Sequence, residues 1–402
     1  MKNELLKELR KRDIPGVLSS DGKWTEQRRN EVLDIVTKNV FGYRPPEPIK
    51  IEFKEYSLEE CSSAIANGIY GYDEELFDYF KNADKATFKK IRVICYLSID
   101  DFPGLKVYPQ LGGKFEFDIC CYMPKIAEGE KIPALVAATY REAFDGLPAK
   151  DITEKGIAVF AYNYRQLVND YPERHGDRRR PQYDNDGLDR LYYGDYRLRD
   201  NPSSRKGDDP GTIAFWSWGA SRVMDYVQTQ GAYINLDKVA VSGHSRLGKT
   251  ALLTGACDER FTHALSNASC AAGASLSRGC NKKEDLKYVS DAFPEWVCEN
   301  LKTSHDSPLF DMHFLLACIA PRRLYLANAD DDAYCDYDSE YLSCVAASEV
   351  YEHLGAKGFV RPDRLPVTGD RFSDGDIGYH LRAGAHSFPL EDWQMMLDFF
   401  LN

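Results

Sequence analysis

This 402-residue chain predicts an α/β fold with a mostly parallel central sheet flanked by helices, and two observations predict it. Apolar runs of strand length recur along the chain and alternate with helical stretches. The later runs are near-continuous rather than alternating, as in strands covered on both faces. Strands that alternate with helices build a parallel sheet through right-handed crossovers.

The elements follow in order. Trp24 to Phe41 reads as a helix, ended by Gly42 and the prolines of YRPPEP. Strand-like runs are IRVICYL, FEFDICCYM, IPALVAATY, GIAVFAYNY, VAVSG, HALSNAS, RLYLANA and YHLRAGA. Helical stretches are TIAFWSWGASRVMDYVQ, the segment after Ser245, MHFLLACIA and the C-terminal LEDWQMMLDFFL. There is no internal repeat. The expectation is a single three-layer domain over 1–402, with a helical N-terminal segment at 1–50 and a long insertion at 165–210 near the active site. That insertion, Arg165 to Pro210, is charged and tyrosine-bearing with little apolar periodicity. A connection of that length is usually functional or disordered. Its Arg178-Arg179-Arg180 run has a solvated surface as its ordinary role, while Tyr183, Tyr192, Tyr193 and Tyr196 fit the rim of a pocket.

Lys and Arg number 51 against 63 Asp and Glu, a net charge of −12, which argues against nucleic acid and gives no reason to expect a membrane surface. No apolar run approaches the length of a membrane span. MKNELLKELRKRDIPG has charges but no apolar stretch behind them, so no signal peptide is read there and a cytoplasmic location is expected. The 11 cysteines form no C-x-x-C pair and mostly lie in apolar runs, so reduced thiols are expected and disulfides or zinc are not. Asp330, Asp331, Asp332, Asp336 and Asp338 lack the glycine and closing Glu of a calcium loop, so no metal is expected there.

VAVSGHSRLGKT, Val239 to Thr250, reads two ways. Gly243, Gly248, Lys249 and Thr250 fit the phosphate-cradling G-x-x-x-x-G-K-[ST] loop. Ser245 fits the nucleophile of a serine hydrolase, raised on a strand-to-helix turn. Three features favour the hydrolase. Several strands precede the motif, whereas a phosphate loop usually opens its domain. His244, Ser245, Arg246 and Leu247 are bulky where backbone would have to enclose phosphate. Asp332 follows RLYLANA and His386 follows YHLRAGA, giving the chain order Ser, Asp, His of the α/β-hydrolases. A phosphate loop gives His386 no task. The elbow is one residue longer than G-x-S-x-G.

GHSRLGKTAL resembles the G-[CH]-S-R-x-G-K motif of the glucuronoyl esterases, carbohydrate esterase family 15. The likeness extends to WTEQRRNEVLDIVTKNVFGYRP, GTIAFWSWGASRVMDYV, FDMHFLLACIAPRRLYLANADDDAYCD and GYHLRAGAHSFPLEDW, most of the chain outside Arg165 to Pro210. The resemblance implies an α/β-hydrolase fold, Ser245 as nucleophile and His386 as base. His380 competes for the base, but it lies inside an apolar run where a packed strand histidine is the ordinary role. Family members take the triad acid either from a Glu after the nucleophile helix, here Ala268, or from an acid after a later strand, here Asp332, with Asp330 and Asp331 beside it. Arg246 is implied to bind the oxyanion through its guanidinium and backbone N–H. Lys249, four residues after Ser245 and on the same helix face, is assigned to the hydroxyls of a glucuronate ring. Glu284 takes a family position that places a polar residue on the sugar. Tyr334 stands where the family often has Trp, as a stacking platform. Thr139-Tyr140-Arg141 is a positional candidate for a second oxyanion donor.

The function so implied is hydrolysis of esters of the C6 carboxyl of glucuronate, 4-O-methylated or not, with no metal or organic cofactor. The partner would be a glucuronate-containing oligosaccharide or a small uronate ester. An acetylxylan esterase is the nearest alternative, and a nucleotide-binding phosphate loop a second one.

Overall fold

The computed structural model describes residues 4–61, 74–81, 85–107, 109–140, 147–169, 187–193, 205–307 and 309–402. They form two compact units: one of 44–204 and 215–240, the other of 1–43, 205–214 and 241–402. Arg178 to Arg180, Tyr183, Tyr196 and Arg141 lie outside the described residues.

The first unit holds β1 (Lys50–Ser57), β2 (Ala86–Tyr96), β3 (Lys114–Pro124), β4 (Ile132–Thr139) and β5 (Ala158–Asn163), in the order β1-β2-β3-β5-β4. β1, β2, β3 and β5 pair antiparallel in turn, whereas β4 and β5 run parallel. β4 and β5 are almost wholly buried, as their unbroken apolar runs predict. Trp216 and Trp218, on the helix Thr212–Thr229, anchor this unit. Their indole N–H groups donate to the carbonyls of Val168 and Pro46, which lets both rings be fully buried. Tyr192 and Tyr193 end the helix Leu188–Tyr193, are half-buried and pack edge-on against Phe215.

β6 (Ile234–His244) begins in this unit and ends in the other. The second unit adds β7 (His263–Asn267), β8 (Arg323–Ala329), β9 (Arg371–Phe372) and β10 (Ile377–Arg382) in the order β7-β8-β10-β9. β7, β8 and β10 are parallel and fully buried apart from Arg323, and the short β9 is antiparallel. Helices Arg246–Cys257, Tyr337–His353 and Leu390–Leu401 belong here too. So does the N-terminal segment. Thr25 caps the helix Glu26–Val36, and Arg29 on that helix donates to the carbonyls of Cys318 and Ala256.

One expectation is corrected here. Cys270 and Cys335 are joined as a disulfide across 65 residues, with Cα atoms 4.4 Å apart. They are remote in sequence, and the turns after β7 and β8 bring them together, which cysteine spacing cannot reveal. The other nine cysteines are free. No helix among the described residues is long and apolar enough to cross a membrane.

Candidate active site

β6 runs into Ser245 and the helix Arg246–Cys257 starts at once behind it. The turn between them is so tight that Ser245 adopts φ 57°, a left-handed value rare outside glycine. Small neighbours permit it. A Cβ on Gly243 would collide with the Leu247 carbonyl, and one on Gly248 would lie 2.8 Å from Ser266 Oγ and 2.9 Å from the Asn267 carbonyl oxygen. A positive φ at the serine between a strand and a helix is the mark of a nucleophile elbow.

Ser245 Oγ lies 2.9 Å from His386 Nε2, and His386 Nδ1 lies 2.6 Å from Asp332 Oδ2. A proton on Nδ1 donates to Asp332 and leaves Nε2 free to accept from Ser245. Asp332 is fully buried, and its Oδ1 accepts from the backbone N–H groups of Tyr334 and Cys335 at 2.8 and 3.1 Å. Burial alone disfavours its charge. The hydrogen bond and charge of His386, with those two N–H groups, outweigh burial and hold the carboxyl below its ordinary range. Asp330 instead bonds Thr368 and the Gly384 N–H, and Asp331 is exposed. Asp336 caps the helix Tyr337–His353, with Asp338 in its first turn. The acidic run is therefore divided between one carboxylate on His386, a loop contact and a helix N-terminus.

His244 packs 4.7 Å from the His386 ring and stacks on Phe388. Its Nδ1 donates to Asn267 Oδ1 at 2.5 Å. Burial, then the neighbouring His386, push its pKa down to about 4, so it adds no charge beside the base near neutral pH. His380, the competing base, is buried between Asp392 and Tyr325. The guanidinium of Arg246 stands 5.0 Å over the Trp296 ring, which in turn stacks on Phe293 at 3.8 Å. Tyr334 is 45% exposed, and its ring meets His386 edge-on at 5.6 Å.

Lys249 departs from the sequence reading. It is 1% exposed, and its ammonium donates at 2.6 Å to each of three acceptors: the carbonyls of Ser269 and Ala271, and Glu284 Oε1. An ammonium has three protons, so all are matched by acceptors within the chain. The loop it grips needs holding, because Ala268, Cys270 and Ala272 all have φ of 46–50°. The same loop is pinned by the disulfide and by Glu340, which accepts from the Cys270 N–H at 2.6 Å and from Asn328 at 3.1 Å. The burial of Lys249 also removes the phosphate-loop reading, since a phosphate-binding lysine must face its ligand.

Cys270, Cys335, Asp332 and His386 offer ligand atoms within 4.8 Å of one another. The two sulfurs are bonded together and Nδ1 is taken by Asp332, so the donor set as it stands does not fit a metal. Thr139 and Tyr140 lie in the first unit, where Thr139 donates to the Tyr162 carbonyl and Tyr140 packs on Tyr164.

A family model for fungal glucuronyl esterases matches residues 203–355. The solved glucuronoyl esterase from Solibacter usitatus superposes with a TM-score of 0.71 at 25% identity, covering 96% of this chain and 97% of that one. This chain is therefore similar to the glucuronoyl esterases, in sequence over 203–355 and in fold over nearly its whole length. The fold is accordingly that of the α/β-hydrolases. A carbohydrate esterase, MZ0003, from an unknown prokaryotic organism is 37% identical over 54% of this chain and 49% of its own length. The 4-O-methyl-glucuronoyl methylesterase of Phanerochaete carnosa is 32% identical over 37% of this chain and 40% of its own. The chain thus spans half or less of the length of these curated relatives. The residues that sequence reasoning missed are His244, Asn267, Trp296, Glu340, Arg382 and Asp392. Two of them, Arg382 and Asp392, lie inside GYHLRAGAHSFPLEDW, the stretch that carried the resemblance.

Proposed function

We propose that this glucuronoyl esterase relative hydrolyses esters of the glucuronate C6 carboxyl, on an oligosaccharide or a small uronate. The observation that carries the reading is the unbroken line from Ser245 Oγ through His386 to Asp332, at 2.9 and 2.6 Å, on a strand-to-helix elbow. In this scheme His386 Nε2 takes the Ser245 proton while Oγ attacks the ester carbonyl, and Asp332 orients and stabilises the imidazolium. Arg246 and its backbone N–H receive the oxyanion. The alcohol leaves with the proton from His386, and water then hydrolyses the glucuronoyl-serine ester by the reverse use of the same base. Tyr334 and Glu284 contribute to holding the sugar. Lys249 acts through Glu284 and the 269–271 carbonyls, because its own protons are matched.

The test is a panel of methyl and benzyl glucuronate against acetylated xylose, with wild type and Ser245→Ala. Turnover of the glucuronates that disappears in Ser245→Ala supports the proposal. Preferential turnover of the acetate makes this a deacetylase, and activity retained in Ser245→Ala removes the serine mechanism.

A further inference from the structure

Ser245 and His386 come from loops far apart in the chain, and a set of buried polar groups outside the triad joins those loops. Arg382 ends β10, four residues before His386. Its Nη2 donates to the carbonyls of Ala385 and Ser387 at 3.2 and 2.9 Å and to Ser387 Oγ at 2.9 Å, so it grips the backbone on both sides of His386. Its Nη1 donates to the Ala383 carbonyl at 2.9 Å. Its Nε donates to both oxygens of Asp392, at 2.9 and 3.0 Å. Asp392 is fully buried in the helix Leu390–Leu401.

The other partners of Asp392 lead to the nucleophile. Its Oδ2 accepts from Asn267 Nδ2 at 2.7 Å, and its Oδ1 accepts from His380 Nε2 at 2.9 Å. Asn267 ends β7. Its side chain holds His244, and its backbone carbonyl accepts from the Ser245 N–H at 2.8 Å. The base loop and the nucleophile elbow therefore share one carboxylate two residues deep.

We infer that Asp392 is a positioning residue. Through Arg382 it fixes the His386 loop, through Asn267 it fixes the Ser245 elbow, and so it sets the distance across which the proton moves. A carboxylate suits this task. It offers several acceptor sites, and its charge neutralises the buried Arg382, so the junction is rigid and leaves neither charge unpaired. Reacting groups must be held within a fraction of an ångström, and a misplacement of about 1 Å costs on the order of 10²-fold in rate. Asp392 touches no sugar-contacting residue, so its effect falls on the chemical step.

The inference rests on the proposed serine mechanism, and the test separates the two. Wild type, Ser245→Ala, Asp392→Asn and Arg382→Lys are each followed by methyl glucuronate turnover and by the rate at which a small fluorophosphonate labels Ser245. Labelling reads the nucleophile–base pair without any sugar. The expected result is a fall in kcat of about 10–100-fold with KM within about threefold, and a parallel fall in labelling rate. Arg382→Ala, whose cavity is shaped for the missing group, should recover part of its labelling rate with added guanidinium and none with ammonium. Folded Asp392→Asn or Arg382→Lys with wild-type kcat and labelling rate overturns the inference and leaves the triad standing. So does loss of kcat that guanidinium cannot restore in folded Arg382→Ala. Wild type that is not labelled at Ser245 overturns the serine mechanism and the inference together.

Discussion

Lys249 Nζ lies 2.6 Å from Glu284 Oε1, and both side chains are buried. The pair is a buried ion pair whose cation also holds two carbonyls of a loop with three non-glycine residues at positive φ. Removing one member of such a pair leaves an uncompensated charge, at a cost of about 3–5 kcal/mol. Lys249→Met should lower stability by that order in urea unfolding, and Glu284→Gln added to it should restore a substantial part. If the double variant is as unstable as the sum of its single changes, the two side chains are not coupled.

Asp332 and its neighbours differ sharply in what they touch. Asp332→Asn should lose on the order of 10⁴ in kcat, because an amide misorients the His386 tautomer. Asp331→Asn should stay at wild-type activity, since the side chain is exposed. Asp330→Asn should stay within a few-fold, because an amide oxygen still accepts the Gly384 N–H. Inactivity of the Asp330 variant with an active Asp332 variant would move the triad acid.

Cys270 and Cys335 close a loop of 65 residues, for which the chain-entropy relation gives about 4 kcal/mol of stabilisation. A dithiol reductant should lower the melting temperature, and Cys270→Ser/Cys335→Ser should start at that lower value and ignore reductant. Equal melting temperatures with and without reductant in wild type, under conditions that expose both thiols to a labelling reagent, would show the bridge to be inconsequential.

Glu340 supplies a pH signature. Burial pushes its pKa up to about 8, from an ordinary value of 4.5, against the opposing pull of Asn328, the Cys270 N–H and Lys249. The folded state therefore favours the protonated acid. The stability this confers is complete below the unfolded value and is lost as pH rises from about 4.5 through about 8. Glu340→Gln cannot ionise, so its melting temperature relative to wild type should improve between pH 5 and pH 8. A constant difference across that range would show that Glu340 does not titrate there.

Several features were hidden from the sequence for identifiable reasons. KIEFKEYS forms the edge strand β1, whose short alternation of Ile51 and Phe53 with charged residues buries neither face fully and pairs with β2 alone. The sequence singles out Asp332 with Asp330 and Asp331 beside it, but does not show that Asp336 caps a helix or that Asp330 ties Thr368 to the histidine loop. Helix periodicity puts Lys249 one turn after Ser245, but it does not say how many acceptors will surround an ammonium. Three do, and none belongs to a ligand.

The sequence by itself determined the strand–helix alternation, the turn around Ser245, the chain order Ser245, Asp332, His386, and the resemblance to the glucuronoyl esterases. These are local in the chain, or they repeat a motif whose residue types the chemistry requires. Only the tertiary structure decided that Asp332, and not Asp330 or Asp331, faces His386, that Cys270 meets Cys335, that Lys249 is enclosed, and that Asp392 bonds both Arg382 and Asn267. These depend on contacts between residues 10 to 141 positions apart. Such contacts arise from the register of β7, β8 and β10 and from the turns at their ends, where a shift of one residue reverses every side chain's face.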